Sequence, residues 1–140
     1  MSKLQDFLVQ NKDVTVTPVE VAVSKRFVDE NGNPLLFKIR PMTGEEFSEY
    51  QRKSTHMSFV GNKRQTSFDS GKFNMLCVIN QCMDPCFTDA EFVKMCEVQT
   101  PEQAVSKVLL SGEIVELGTQ ITRISGFDTD IEEKVQEAKN

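Results

Sequence analysis

The chain has 140 residues, 39% hydrophobic and 26% charged, with ten Phe, no Trp and a formal net charge of −5 at pH 7. That usage fits one globular domain and excludes disorder over long stretches. An acidic protein lacks the basic excess that releases counterions from nucleic acid or holds an anionic bilayer, so neither is expected as a partner.

The first residues, Met1-Ser2-Lys3-Leu4-Gln5-Asp6, contain no continuous apolar segment and no small-residue cleavage site. They do not read as a signal peptide. The longest apolar runs span only a few residues, too short for a bilayer. The expectation is therefore a protein of the cytosol of the cell that makes it.

Residues 4–9 read as a short helical arm. Val14, Val16, Val19, Val21 and Val23 alternate around Pro18, which removes a backbone donor and marks an edge or broken strand. Asp29-Glu30-Asn31-Gly32-Asn33-Pro34 is a turn signal. Leu35, Phe37 and Ile39 then alternate with Leu36, Lys38 and Arg40, so residues 19–40 read as a β-hairpin. After Pro41, Thr43-Gly44-Glu45-Glu46 is a capping box that starts a helix carrying Phe47 and Tyr50 on one face. Between 54 and 70 the periodicity fails. Met57, Phe59 and Phe68 are scattered among polar residues with His56, Lys63 and Arg64, which reads as a mobile loop or a short hairpin turning at Gly61-Asn62.

Helical spacing returns near Ser70 through Phe73, Leu76 and Cys77, and through Met75, Ile79 and Met83, with Asp84-Pro85 as the stop. Apolar residues on two sides mark this helix as central. Thr88-Asp89-Ala90-Glu91 and Thr100-Pro101-Glu102-Gln103 read as two more capping boxes, the latter with Pro at the first helical position. Ser111 reads as the cap of a helix bearing the stripe Ile114, Leu117, Ile121 and Ile124, closed by a left-handed Gly126. Residues 128–140 read as an acidic tail or frayed helix. The expected fold is α+β: an N-terminal β-hairpin unit followed by a bundle of short α-helices, with residues 1–127 as a single compact domain.

Little of this points to catalysis. The lone histidine, His56, lies in a polar loop context, and no serine or lysine sits in a nucleophile-elbow or phosphate-loop frame. Cys77, Cys82, Cys86 and Cys96 lack the paired spacing of a zinc site and read as reduced core thiols. The acidic pairs Glu45/Glu46, Asp128/Asp130 and Glu132/Glu133 read as a helix start and a solvated tail. No enzyme, metal or cofactor is expected. What remains is surface. Met57, Phe59, Lys63 and Arg64 in the 54–70 segment are candidate partner contacts, because functional contacts concentrate on such segments. Ile114, Leu117, Ile121 and Ile124 form either a partner-binding seam or the inward face of the last core helix.

Several segments, in order, resemble one family. Phe37-Lys38-Ile39-Arg40-Pro41-Met42-Thr43-Gly44-Glu45 resembles the strand-to-helix step of the PBSX-like (XkdN-like) phage tail assembly chaperones. Asp84-Pro85-Cys86-Phe87-Thr88-Asp89-Ala90-Glu91-Phe92 is similar to that family's proline-phenylalanine-acidic segment, although Cys86 stands where an acidic residue is expected. Thr100-Pro101-Glu102-Gln103-Ala104-Val105 resembles its next helix start. Leu110-Ser111-Gly112-Glu113-Ile114 and Ile124-Ser125-Gly126-Phe127 resemble its closing helix. The resemblance implies a chaperone of contractile-tail assembly that coats the tape-measure protein, helps recruit tail tube protein and leaves as the tube polymerises. It implies a place in the bacterial host cytoplasm and absence from the mature virion. The alternative reading is a structural tail or baseplate adaptor retained in the particle. Homo-oligomers and a longer, frameshifted form are further expectations, since Ala138-Lys139-Asn140 is compatible with a slippery heptamer in the gene.

Overall fold

Local capping sets most of the element boundaries in the computed structural model, which describes residues 2–12 and 17–127. Helix α1 (Lys3–Gln10) starts on Ser2, whose Oγ accepts from the Gln5 amide while Gln5 Oε1 accepts from the Ser2 amide. Strands β1 (Val19–Val21) and β2 (Phe37–Ile39) pair antiparallel, with Val19 opposite Ile39 and Val21 opposite Phe37. Between them Asp29 Oδ1 accepts from the amides of Asn31 and Asn33, and Gly32 takes a φ of +82°, which is how an Asx turn reverses a chain. The hairpin expected over 19–40 is thus present, with paired strands of three residues each. Val14 and Val16, expected to extend it, lie outside the described residues, as does the tail 128–140.

Helix α2 (Gly44–Lys53) carries the full Thr43/Glu46 capping box. Strands β3 (Thr55–Val60) and β4 (Lys63–Phe68) form a separate two-stranded sheet. Helix α3 (Ser70–Gln81) is capped by Asp69, whose carboxylate accepts from the Lys72 amide. The chain then departs from its expected course. The spacing that placed Met83 on this helix runs past its end, and β5 (Cys82–Asp84) pairs with the second edge of β2, giving the order β1-β2-β5. The physical reason lies outside the segment: β2 would otherwise bury a row of unpaired backbone groups, and a third strand satisfies them.

Helix α4 (Ala90–Met95) is capped by Asp89, accepting from Glu91, so the cap falls one residue later than the expected Thr88. Helix α5 (Pro101–Val108) keeps the Thr100/Gln103 box with Pro101 in its first turn. Helix α6 (Ser111–Thr122) starts after Leu110 and not on Ser111 as a cap: the Glu113 carboxylate reaches back to accept from the Leu110 amide at 2.8 Å. A closing turn, Arg123–Phe127, contains Gly126, whose φ of +101° suits glycine without strain.

The core gathers around α3, which packs against α2, α5 and α6. Ile39, Cys77, Val78, Phe87, Val105, Leu117 and Ile121 have no exposed surface. The one large buried polar side chain at this junction is fully used. Gln81 Oε1 accepts from the Tyr50 hydroxyl at 2.6 Å, and its Nε2 donates to the Pro41 carbonyl at 3.0 Å. Burial raises the Tyr50 hydroxyl well above its ordinary range, so it stays protonated and serves as the donor. Arg40 then ties the sheet to α2 through a two-point ion pair with Glu46, at 3.2 and 2.9 Å. Arg26 ties the β1–β2 connection to α6 through Glu113, both bonds at 2.7 Å.

Candidate partner-binding surface

The segment 54–70 settles as the hairpin alternative and not as a loop. Gly61, with a φ of +66°, and Asn62 make a two-residue turn between the paired Val60 and Lys63, a turn class whose twist matches antiparallel strands. Ladder pairing runs without interruption from Val60–Lys63 to Thr55–Phe68. All twelve strand residues are exposed, so the ribbon stands off the body and has no buried face. A two-stranded ribbon alone is marginal in water. Its root is therefore clamped: the Asp69 amide donates to the Ser54 carbonyl at 2.8 Å, and Thr55 Oγ1 donates to the Gln51 carbonyl at 2.8 Å.

Register decides which side chains share a face, because directly paired residues point the same way. Thr55/Phe68, Met57/Thr66 and Phe59/Arg64 lie on one face, and His56/Ser67, Ser58/Gln65 and Val60/Lys63 on the other. The first face is apolar at its centre. Phe59 is 73% and Met57 60% exposed, far more than either side chain retains in a core. Arg64 lies beside them, its Nε 2.9 Å from the Met57 sulfur. A thioether is a weak acceptor, which leaves the guanidinium free to prefer a carboxylate or a carbonyl on an incoming partner.

This face continues onto the body. Phe68 meets Phe73 of α3 with ring centroids 5.6 Å apart, Phe73 meets Phe47 of α2 at 5.6 Å, and Phe47 meets Phe127 of the closing turn at 5.1 Å. The result is a row of aromatic rings running from the ribbon to the end of α6, with Phe68 and Phe127 each more than half exposed. Ser125 fixes the far end: its Oγ accepts from the Met42 amide at 2.9 Å and donates to the Ile121 carbonyl at 2.6 Å. Electrostatics distinguish the ribbon from the rest. Residues 55–68 contain Lys63 and Arg64 and no acidic residue, in a chain whose net charge is −5. The surface offers apolar rings, two cations and, along both ribbon edges, unpaired backbone groups able to accept another strand.

The expected site residues therefore divide. Met57, Phe59 and Arg64 share the apolar face; Lys63 is adjacent at the tip but points to the opposite side. Ile114, Leu117 and Ile121 form the inward face of α6, and Ile124 follows them in the closing turn. Leu117 and Ile121 have no exposed surface, and Ile114 and Ile124 are half-buried against the same core, so this stripe is not brought together with the ribbon. The aromatic row was missed by sequence reasoning. The turn at Gly61-Asn62 would have found Phe68, because a two-residue turn fixes the register that places it with Met57 and Phe59; its continuation through Phe73, Phe47 and Phe127 depends on tertiary packing.

Catalytic groups do not converge here. His56 lies on the ribbon's polar face, opposite Ser67. Among the described residues no group of three or more His, Cys, Asp and Glu side chains could hold a metal ion. Burial pushes the Cys77 and Cys82 thiols up to about 12, which removes them as nucleophiles at neutral pH. Among the described residues no helix is long and apolar enough to cross a membrane.

Comparison with known proteins gives a consistent match. A family described as the phage XkdN-like tail assembly chaperone protein matches residues 4–139. The phage-like element PBSX protein XkdN of Bacillus subtilis (strain 168) is 29% identical over 136 residues, covering 96% of this chain and 92% of that protein. The protein YqbN of the same strain is 29% identical over 136 residues, covering 96% and 91%. A crystal structure of YqbN superimposes with a TM-score of 0.62 at 26% identity, covering 81% of this chain and 90% of that one.

Proposed function

We propose, because this chain belongs to the phage XkdN-like family of tail assembly chaperones, that it binds the tape-measure protein before the tail tube forms and grips it with the β3–β4 ribbon. The observation that carries this reading is a projecting ribbon whose exposed Phe59 and Met57 continue into a row of aromatic rings exposed at both ends, Phe68 and Phe127. Apolar surface of this kind is costly to leave in water and marks a place where another chain docks. A tape-measure protein is a long chain with apolar helical stripes, which aggregate unless covered. The ribbon supplies rings for such a stripe, and Lys63 and Arg64 supply partners for flanking carboxylates.

One ribbon is a small contact, and small contacts are weak. Many copies along one long partner hold it firmly in sum, yet each is displaced singly as tube subunits arrive. On this reading the chain also helps recruit tail tube protein, works in the cytoplasm of the bacterial host and is absent from the mature virion. The test is isolation of the tagged protein during phage production, with mass spectrometry of what it holds and of purified particles. Tape-measure protein in the first sample and none of this chain in the second supports the proposal. Abundant chain in finished particles replaces it with a structural adaptor.

A further inference from the structure

A second apolar surface lies away from the ribbon. Phe27, Leu35, Leu36, Pro85, Phe92 and Val108 line an open groove of about 460 Å³ between the β1–β2 connection, the segment after β5, and helices α4 and α5. Leu35 and Leu36 are 53% and 43% exposed there. The same chain carries a helix with an exposed apolar stripe. Leu4, Phe7 and Leu8 recur at the spacing that aligns side chains on one helical face, and each is more than half exposed. No residue of α1 is buried. A capped helix of eight residues, about 12 Å long, whose apolar stripe has nothing beneath it among the described residues, is the usual ligand of an apolar groove.

We infer that α1 of one copy seats its Leu4, Phe7 and Leu8 face in this groove on a second copy. Three observations select that occupant. Among the described residues of one copy nothing covers the groove or the stripe, and α1 does not sit in its own groove. Residues 11–18 separate α1 from β1, and a chain of eight residues spans at most roughly 26–29 Å, which sets how far α1 can stand from its own body. The charges also match. Lys3 stands one turn before Phe7 on the edge of the stripe, Asp84 stands on the groove wall, and among the described residues neither is in an ion pair. Each copy offers one arm and one groove. The contact therefore either closes reciprocally in a pair or propagates head to tail.

Sedimentation equilibrium of the full chain over a concentration series tests this, with three variants whose folding is checked by circular dichroism. An arm variant carries Leu4→Ala, Phe7→Ala and Leu8→Ala, all exposed positions; a groove variant carries Leu35→Glu; a charge variant carries Lys3→Glu. Wild type is expected to rise above the 15.9 kDa of one chain as concentration increases. The arm and groove variants should each weaken association about tenfold or more, and the charge variant should weaken it less and in a salt-dependent way. Mixing the arm variant with the groove variant should restore a heterodimer, because one retains the groove and the other the arm. Wild type that holds 15.9 kDa up to about millimolar concentration, the ceiling expected for a contact of this size, overturns the inference. So does an arm variant that associates like wild type, or a mixture that associates no better than either variant alone while wild type associates.

Discussion

Replacing Ile121 by Asp, set against replacing Phe59 by Asp, separates core from contact surface. Ile121 has no exposed surface and packs with Leu117 against α3. Losing its apolar side chain costs about 1.5–3 kcal/mol in transfer terms. An unpaired carboxylate buried in its place adds several kcal/mol more, or is neutralised at similar cost. A domain of this size has a total stability of about 5–15 kcal/mol, so Ile121→Asp should leave much or all of the chain unfolded at 37 °C. Phe59 is 73% exposed, and a charge there should change stability by no more than about 0.5 kcal/mol. The assay is urea unfolding followed by circular dichroism, beside capture of tape-measure protein on the folded material. Phe59→Asp should stay folded and lose capture. A folded Ile121→Asp with wild-type stability would refute the account of α6 as a core helix, and an unfolded Phe59→Asp would refute the account of a ribbon without a buried face.

Gly118 faces Asn74 of α3 at close range: a Cβ there would lie 2.5 Å from Asn74 Oδ1 and 3.0 Å from its Cγ. Gly118→Ala should therefore forfeit the roughly 1 kcal/mol that Ala gains over Gly in a helix and lower the urea midpoint, whereas with Asn74→Ala added it should regain that amount. Glu113, held by Arg26, has its pKa lowered to about 2 from an ordinary 4.5; a lowered carboxylate stabilises the fold above its unfolded pKa, so this contribution should disappear as pH falls from about 4.5 towards 2. In Arg26→Met the unfolding midpoint should fall less steeply across that window. A thiol reagent at neutral pH should label exposed Cys86 first and leave buried Cys77 and Cys82 unmodified until the chain unfolds, as peptide mapping would show.

Signals confined to a few neighbouring residues were legible in the sequence. The Thr43/Glu46 and Thr100/Gln103 boxes and the turns at 29–34 and Gly61-Asn62 each depend on groups within four positions of one another. Where two local acceptors competed, the sequence could not choose: Asp89 and not Thr88 caps α4, its carboxylate accepting from the Glu91 amide. Strand β5 was illegible for a different reason. Met83 fits the helical period of α3, and only the unpaired edge of β2, more than forty residues away, draws it into a sheet. The same limit applies to function. Met57, Phe59 and Arg64 were found as candidates because apolar residues among polar ones lacked a core pattern. Their alignment with Phe68, Phe73, Phe47 and Phe127 required register and packing. The α6 stripe is the converse case: periodicity alone leaves seam and core both open, and Leu117 and Ile121 have no exposed surface.

The most direct measurement is isothermal titration of purified tape-measure segments with the wild-type chain and with a folded Met57→Ser, Phe59→Ser double variant. The account predicts measurable binding by wild type and a loss of about tenfold or more in affinity for the variant. Equal binding by both proteins would contradict it and move the grip on the partner to another surface.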